Sequence, residues 1–148
     1  MCKADLTDVI RIAQAAMQHP WTYSQFVGEL AYLKGFCLVA VTDTVCAYAV
    51  FRISGSEAEL LQLAVEPGAR NNGIGHFLLE YGLRKIRAME VGACFLEVRK
   101  KNGLARRFYS NFGFVEVGQR SNYYRQPFDD AVVMKKNISG DRADADNT

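Results

Sequence analysis

The segment that says most about the fold reads Leu63-Ala64-Val65-Glu66-Pro67-Gly68-Ala69-Arg70-Asn71-Asn72-Gly73-Ile74-Gly75. An apolar strand runs into a Pro/Gly turn and a glycine-flanked loop, and an amphipathic helix begins near Ile74. Such a junction points several backbone N–H groups and the positive end of a helix dipole at one spot. Because glycine lets a ligand approach the main chain closely, the loop suits a phosphate or pyrophosphate.

The hydrophobic pattern around this segment predicts a mixed α/β sheet with flanking helices. Strands are predicted at 36–42, 45–53, 58–65, 93–98, 114–117 and 131–135, with a further strand at 1–4 as an open alternative, and helices at 5–17, 22–35, 74–90 and 104–112. Since a helix joins strand 58–65 to strand 93–98, we expect these two to run parallel, whereas the earlier hairpins are antiparallel. The helix at 74–90 is expected to bury Phe77, Leu78, Tyr81 and Ile86.

Length and composition indicate one globular domain. The chain has 148 residues, of which 49% are hydrophobic and 23% charged, and these values exclude global disorder. We expect a single domain over 1–136 and a disordered tail over 137–148, which lacks apolar periodicity. The net charge of +2 is too small to indicate a nucleic-acid partner.

Cysteine spacing and hydropathy bear on location and metal content. None of the four cysteines has metal-ligand spacing, so no metal site is expected, and reduced thiols are the expected state. The longest apolar run, 45–51, is far shorter than a membrane span, and the first residues do not read as a signal peptide. A cytoplasmic protein without a membrane partner is therefore expected.

Several motifs together resemble those of the GNAT family of N-acetyltransferases. The pattern Arg70-x-x-Gly73-x-Gly75 resembles the family's pyrophosphate-binding loop. It is followed in the family's order by Leu96-Glu97-Val98-Arg99, Asn102 and Phe108-Tyr109-x-x-Phe112-Gly113-Phe114. His19-Pro20-Trp21, Asn122-Tyr123-Tyr124 and Asp129-Asp130-Ala131-Val132-Val133-Met134 are similar to the ribosomal-protein-alanine N-acetyltransferase subfamily. The resemblance extends over about 4–136.

The resemblance implies that acetyl-CoA binds where the two central parallel strands of the sheet splay apart. The implied coenzyme contacts are the backbone of Leu63, Ala64 and Val65 for pantetheine, the loop residues Arg70, Asn71, Asn72, Gly73, Ile74, Gly75 and His76 for the pyrophosphate, and Asn102. A basic cluster at 99–107 is a further candidate for the phosphorylated end, although a solvated helix face explains it as well. Asn71 and Asn72 depart from the family, where Arg, Lys or Gln is frequent, but main-chain donors make most of this contact.

The chemistry of amine acetylation asks for a proton acceptor, an oxyanion donor and a proton donor for the departing thiolate. The resemblance assigns these roles to Glu97, the Val65 N–H and Tyr109 respectively. Two structural alternatives stay open from the residues alone. Glu97 can serve in an ion pair with Arg99 or another basic neighbour, and Tyr109 can be a core aromatic.

Acidity helps to choose the acceptor. Proton transfer to a carboxylate with a pKa of ~4.3 is uphill by about 5 kcal/mol from an α-ammonium and by about 8 kcal/mol from a lysine. A single carboxylate base therefore suits an N-terminal amine. The residues expected to line the acceptor groove are Trp21, Tyr123 and Tyr124, with packing roles as the alternative. His19 and His76 are expected to be surface residues without a catalytic role.

The sequence thus predicts acetyl transfer from acetyl-CoA to a protein N-terminus, with the N-terminal alanine of a small-subunit ribosomal protein as the acceptor implied by the resemblance. The alternatives are a small-molecule amine such as a polyamine or aminoglycoside, a lysine side chain, or a catalytically silent acyl-CoA-binding module. A dinucleotide-binding domain is disfavoured because the loop does not read GxGxxG.

Overall fold

A computed structural model describes residues 1–125 and 128–138. The elements are α1 (Leu6–Ala16), α2 (Tyr23–Ala31), β1 (Gly35–Val41), β2 (Val45–Ser54), β3 (Glu57–Val65), α3 (Ile74–Ala88), β4 (Ala93–Arg99), α4 (Gly103–Asn111), β5 (Val115–Arg125) and β6 (Phe128–Asn137), with short 3-10 turns at Lys3–Asp5 and Pro67–Ala69. Their order confirms the predicted mixed α/β architecture.

The six strands form one sheet in the order β1-β2-β3-β4-β6-β5. All neighbours are antiparallel except β3 and β4, which are parallel, as the helical connection between them predicts. The parallel register pairs only Glu57–Glu59 with Ala93–Phe95. Beyond Glu59 the two strands separate, which confirms the expected splay.

Alternation along β2 builds a core on each face of the sheet. Tyr48 and Val50 point to a cluster with α1 and α2, whereas Ala47, Ala49 and Phe51 point to a cluster with α3. The first cluster includes Leu6, Val9, Ile12, Ala13 and Phe26, and the second includes Leu78, Leu79, Leu83, Ile86, Leu96 and Phe114. Because both faces are covered, the central strands are buried on both sides.

Two predicted helices differ in detail. In α3, Phe77 and Tyr81 are exposed, at 67% and 54% of their surface, so their predicted burial is wrong. The predicted burial of Leu78 and Ile86 is confirmed, and the buried stripe is completed by Leu79, Gly82 and Leu83. The second helix stops at Ala31 and is fixed at its start by Thr22 and Gln25, which exchange side-chain to backbone hydrogen bonds of 3.3 and 2.8 Å.

The predictions for the two ends of the chain also need correction. The alternative strand at 1–4 does not form; a 3-10 turn lies there, and the Asp5 carboxylate accepts a 2.8 Å hydrogen bond from the Cys2 N–H. At the other end, Asn137 belongs to β6 and Ile138 is buried, with its N–H donating to the Gly92 carbonyl. The sheet thus includes the first residue assigned to the tail and the core includes the second, and residues 139–148 lie outside the described part of the chain.

The β5–β6 hairpin is much longer than the apolar pattern of its sequence predicts. β5 runs over Val115–Arg125, and almost every residue in it is exposed. It is the edge strand beside β6, so backbone pairing rather than a buried face extends it. Among the described residues, no helix combines the length and apolar character needed to cross a membrane.

Candidate active site

A cavity of about 970 Å³ opens where β3 and β4 separate. Residues from five elements and one loop line it: Leu60, Leu61, Gln62 and Leu63 of β3; Leu96, Glu97, Val98 and Arg99 of β4; Asn102, Ala105 and Tyr109 around α4; Tyr123, Tyr124 and Arg125 of β5; Ala16 at the end of α1; and Met17, Gln18 and His19 in the loop after α1. The splay therefore brings Glu97 and Tyr109 to the same cavity.

The edge of β3 that faces the gap carries backbone groups without a strand partner. Leu63, Ala64 and Val65 pair with β2 on one side, whereas the register with β4 ends at Glu59. Of these three, Leu63 lines the cavity. An extended chain with amide groups can add to such an edge through main-chain hydrogen bonds.

The glycine loop opens α3 with free main-chain donors. Gly73 is the N-cap residue in the left-handed region (φ 77°), where it provides no side chain to cap the helix. The Phe77 N–H makes the first helical bond, to the Gly73 carbonyl at 3.0 Å. The N–H groups of the first turn consequently have no intrahelical acceptor. Asn71 is also left-handed (φ 66°), a conformation that asparagine tolerates.

Loop side chains mainly hold the loop itself. Arg70 Nε donates to the Val65 carbonyl at 3.2 Å, and Asn72 Nδ2 donates to the Ala69 carbonyl at 3.4 Å. The exposed His76 ring lies 4.6 Å from the ring of Phe112, and its Nε2 is 3.6 Å from Glu80. The loop therefore offers its main-chain N–H groups as donors, while Arg70 and Asn72 hydrogen-bond to its own carbonyl groups.

Glu97 lies on β4 with about a quarter of its side chain exposed. Its Oε1 accepts a 2.9 Å hydrogen bond from Arg120 Nη1 of β5. An ion pair with a basic neighbour was one alternative for this residue, and the structure shows Arg120 as that neighbour. Arg99 instead stacks over the Tyr124 ring at 4.2 Å.

Tyr109 lies on α4, and rings flank it on two sides: Phe108 at 5.2 Å and Phe114 at 5.8 Å. Burial raises the pKa of Tyr109 above its usual range, and the neighbouring Cys94 raises it further. The phenol is therefore protonated at neutral pH and available as a hydrogen-bond donor in the cavity.

Asn102 caps α4. Its Oδ1 accepts a 3.1 Å hydrogen bond from the Ala105 N–H, and the residue also lines the cavity. Because the cap uses only the carbonyl oxygen, the two amide protons are available for a ligand.

The three residues predicted to line the acceptor groove lie in two different environments. Tyr123 and Tyr124 line the cavity, with their rings 5.1 Å apart in an edge arrangement. The Glu97 charge is the main cause of the raised pKa of Tyr123, and burial is the main cause for Tyr124. Trp21 packs 5.3 Å from the Phe26 ring and is not among the described residues that line the cavity.

A bulge in β5 positions the tyrosine pair. The register with β6 shifts between Arg120 and Tyr124, and Asn122 takes a positive φ of 52°. The Asn122 N–H donates to Asp130 Oδ1 at 2.8 Å. The buried Asp129 accepts hydrogen bonds from the Lys101 and Asp130 N–H groups at 3.0 and 2.8 Å, which ties this hairpin to the β4–α4 turn.

Sequence reasoning missed several members of the site. Arg120 lies in an exposed strand without apolar periodicity, so no local pattern marks it. His19 lines the cavity although it was expected to be an unremarkable loop residue; only the way α1 packs on the sheet brings its loop there.

Comparison with known proteins gives the family. Residues 6–114 match the model of the "Acetyltransferase (GNAT) family". The chain belongs to the GNAT acetyltransferase family. It is 32% identical over 137 residues to the [ribosomal protein bS18]-alanine N-acetyltransferase of Salmonella typhimurium, covering 91% of this chain and 93% of that protein.

Solved structures of other acetyltransferases share the fold. The ribosomal-protein-S18-alanine N-acetyltransferase from Escherichia coli superposes with a TM-score of 0.87 and 28% identity, covering 93% of this chain and 90% of that one. The PaiA N-acetyltransferase from Thermoplasma acidophilum in complex with coenzyme A superposes with a TM-score of 0.73 and 21% identity, over 93% and 95% of the two chains.

This acetyltransferase uses acetyl-CoA as the acetyl donor, as its family does. Its residues fit the coenzyme, because the unpaired β3 edge offers hydrogen bonds to an extended chain and the first turn of α3 offers donors to phosphate. In 1–125 and 128–138, no group of His, Cys, Asp and Glu side chains could hold a metal ion.

Proposed function

We propose that this acetyltransferase acetylates the α-amine of a protein N-terminus, with the N-terminal alanine of a small-subunit ribosomal protein as its acceptor, in the cytoplasm. The observation that carries the proposal is the meeting of a carboxylate, Glu97, and a protonated phenol, Tyr109, in one cavity. The relatives named for acetylation of bS18 alanine support this choice of acceptor.

Each residue has one proton to move in the proposed reaction. Glu97 takes a proton from the α-ammonium, so that an N–H bond breaks and an O–H bond forms. The neutral nitrogen then forms the C–N bond to the acetyl carbon while the Val65 N–H stabilises the oxyanion. As the C–S bond breaks, Tyr109 donates its proton to the sulfur, and the nitrogen releases its second proton to solvent to give the neutral amide. Tyr109 then recovers a proton from solvent.

The charges in the cavity disfavour a polyamine acceptor. Glu97 is the only carboxylate among the described residues that line it, whereas Arg99 and Arg125 both do, and Arg120 is paired with Glu97. A polycation would meet like charges there, which is unfavourable in a partly desolvated site. A peptide N-terminus brings one positive charge to one carboxylate.

The test uses one peptide with Ala or Leu at position one and a lysine inside it, each with a free and a blocked N-terminus, next to spermidine. Mass spectrometry after incubation with acetyl-CoA should show acetylation of the free Ala N-terminus and an unmodified lysine. The Leu peptide should react poorly, because a close-fitting pocket penalises added volume. Acetylation of the blocked peptide at lysine, or faster reaction of spermidine, would overturn the proposal.

A further inference from the structure

The contact between Arg120 and Glu97 links two strands of the sheet and lies beside an aromatic ring. It joins β5 to β4 across the intervening strand β6, and it places the guanidinium 4.9 Å from the centre of the Tyr123 ring. Arg120 thus touches both the proposed base and one of the two tyrosines that line the acceptor side.

The surroundings of Glu97 are mixed in charge. The titratable groups that face it or share its cavity wall come from every element around it: Glu59 of β3; Arg99 of its own strand; Tyr109 of α4; Arg120, Tyr123, Tyr124 and Arg125 of β5; and His19 after α1. The Val133 partner of Glu97 on β6 is apolar. Burial raises the pKa of Glu59, and the negative charge of Glu97 raises it further. Two carboxylates therefore share this region, and Arg120 acts on both.

Two neighbouring carboxylates repel each other when both are ionised, and a nearby cation offsets this repulsion. Arg120 supplies that cation at 2.9 Å from Glu97 Oε1. Its planar fork also fixes the carboxylate's orientation in a way that a point charge does not. Arg120 thus holds Oε1, and the Tyr123 side chain interacts with the same carboxylate.

We propose that Arg120 is a positioning residue of the acetyl-transfer reaction: it supplies the positive charge that faces Glu97 and Glu59, and its hydrogen bond fixes the orientation of the Glu97 carboxylate toward the acceptor amine. Arg120 acts through Glu97 and takes no proton itself. This inference rests on the proposed function, because it assumes that Glu97 receives the proton of the amine.

The experiment compares the pH dependence of kcat in wild type, R120Q and R120K with the Ala peptide as acceptor. R120Q should lower the plateau kcat by about 10–100-fold, the range for losing a charged hydrogen bond. It should also move the acidic limb of the kcat profile up by about one pH unit, because removal of a cation beside carboxylates favours the protonated form. R120K keeps the charge, so its acidic limb should stay at the wild-type pH while kcat is only partly restored.

R84Q is the matched control, since Arg84 makes a 2.8 Å ion pair with Glu80 on the exposed face of α3. It should leave both kcat and the acidic limb unchanged. R120M replaces R120Q if the latter does not fold, as judged by thermal melting and acetyl-CoA binding, and the same shift is expected. An acidic limb that stays at the wild-type pH without the arginine overturns the inference.

Failure of this inference and failure of the proposed function give different results. If wild type acetylates no peptide N-terminus, the proposed function is wrong whatever the Arg120 variants do. If wild type acetylates the Ala peptide while R120Q keeps the wild-type limb, only the role of Arg120 is wrong.

Discussion

Val65 Cγ2 lies 3.4 Å from the position that a Cβ atom would occupy on Gly75, and Phe108 Cζ lies 3.8 Å from it. The first turn of α3 is thus packed directly against the end of β3 and against α4. An alanine at 75 would just fit, whereas a larger side chain would push the helix start away from the strand. The close approach sets where the free N–H groups of α3 point.

Gly75→Val and Gly73→Val should each weaken acetyl-CoA binding. The first displaces the helix start, and the second forces a β-branched residue into the left-handed conformation that Gly73 holds at φ 77°. Calorimetry should show at least a tenfold loss of affinity, equivalent to about 1.4 kcal/mol. Gly28→Ala, at a site with no atom within 4 Å, is the control; equal affinity in all the variants would refute the loop assignment.

Tyr109→Phe should lower turnover by roughly 10²–10⁴-fold and leave acetyl-CoA affinity nearly intact, because it removes one proton donor and little volume. Tyr81→Phe, at an exposed site on α3, should change neither quantity. Turnover within threefold of wild type would make Tyr109 a core aromatic only.

The raised pKa of Tyr109 also has a consequence for the alkaline side of the pH profile. Since the unperturbed phenol titrates near ~10, a raised value keeps the donor protonated above that pH. Below about pH 10, the wild-type rate should therefore not fall through deprotonation of Tyr109. The test compares the initial rates of wild type and Tyr109→Phe as the pH is raised. An alkaline loss of rate that occurs in wild type and is absent from the variant would contradict the protonated state of Tyr109.

Glu97→Gln should impair turnover most at low pH. The variant lacks the proton acceptor, but more of the α-amine is already neutral as the pH approaches ~8. The ratio of wild-type to variant kcat should therefore fall between pH 6.5 and 9. A ratio that does not change with pH would indicate that Glu97 positions the amine and does not remove its proton.

Gly82→Ala should destabilise the fold without touching the cavity. A Cβ at Gly82 would lie 2.5 Å from two ring atoms of Phe51, which is itself buried and stacked on Phe36 at 4.9 Å. Overpacking of this kind costs about 1–3 kcal/mol. Thermal unfolding should show a lower Tm, whereas Gly28→Ala should hold or raise it; a Tm unchanged in Gly82→Ala would contradict this packing.

The element order followed closely from the sequence because each signal involved is local. The apolar period of α1, the turn residues around Gly55 and the glycine loop at 70–75 act within a few residues, and the helical connection between β3 and β4 favours a parallel pair. The long β5–β6 hairpin was underestimated for the same reason, since an edge strand exposed on both faces has no apolar alternation to read.

The site divides along the same line. The sequence by itself, through its resemblance to the family, predicted the glycine loop, the carboxylate at 97 and the tyrosine at 109 as site residues, because the resemblance rests on residue types at fixed spacings along the chain. Only the tertiary structure decided that β3 and β4 part after Glu59, that the bulge before Tyr124 turns the tyrosine pair to the cavity, and that Arg120 pairs with Glu97. The Arg120–Glu97 pair joins residues 23 positions apart, and the β3–β4 pairing joins residues still farther apart. The bulge lies within a hairpin, but its geometry depends on strand register, which no local pattern encodes.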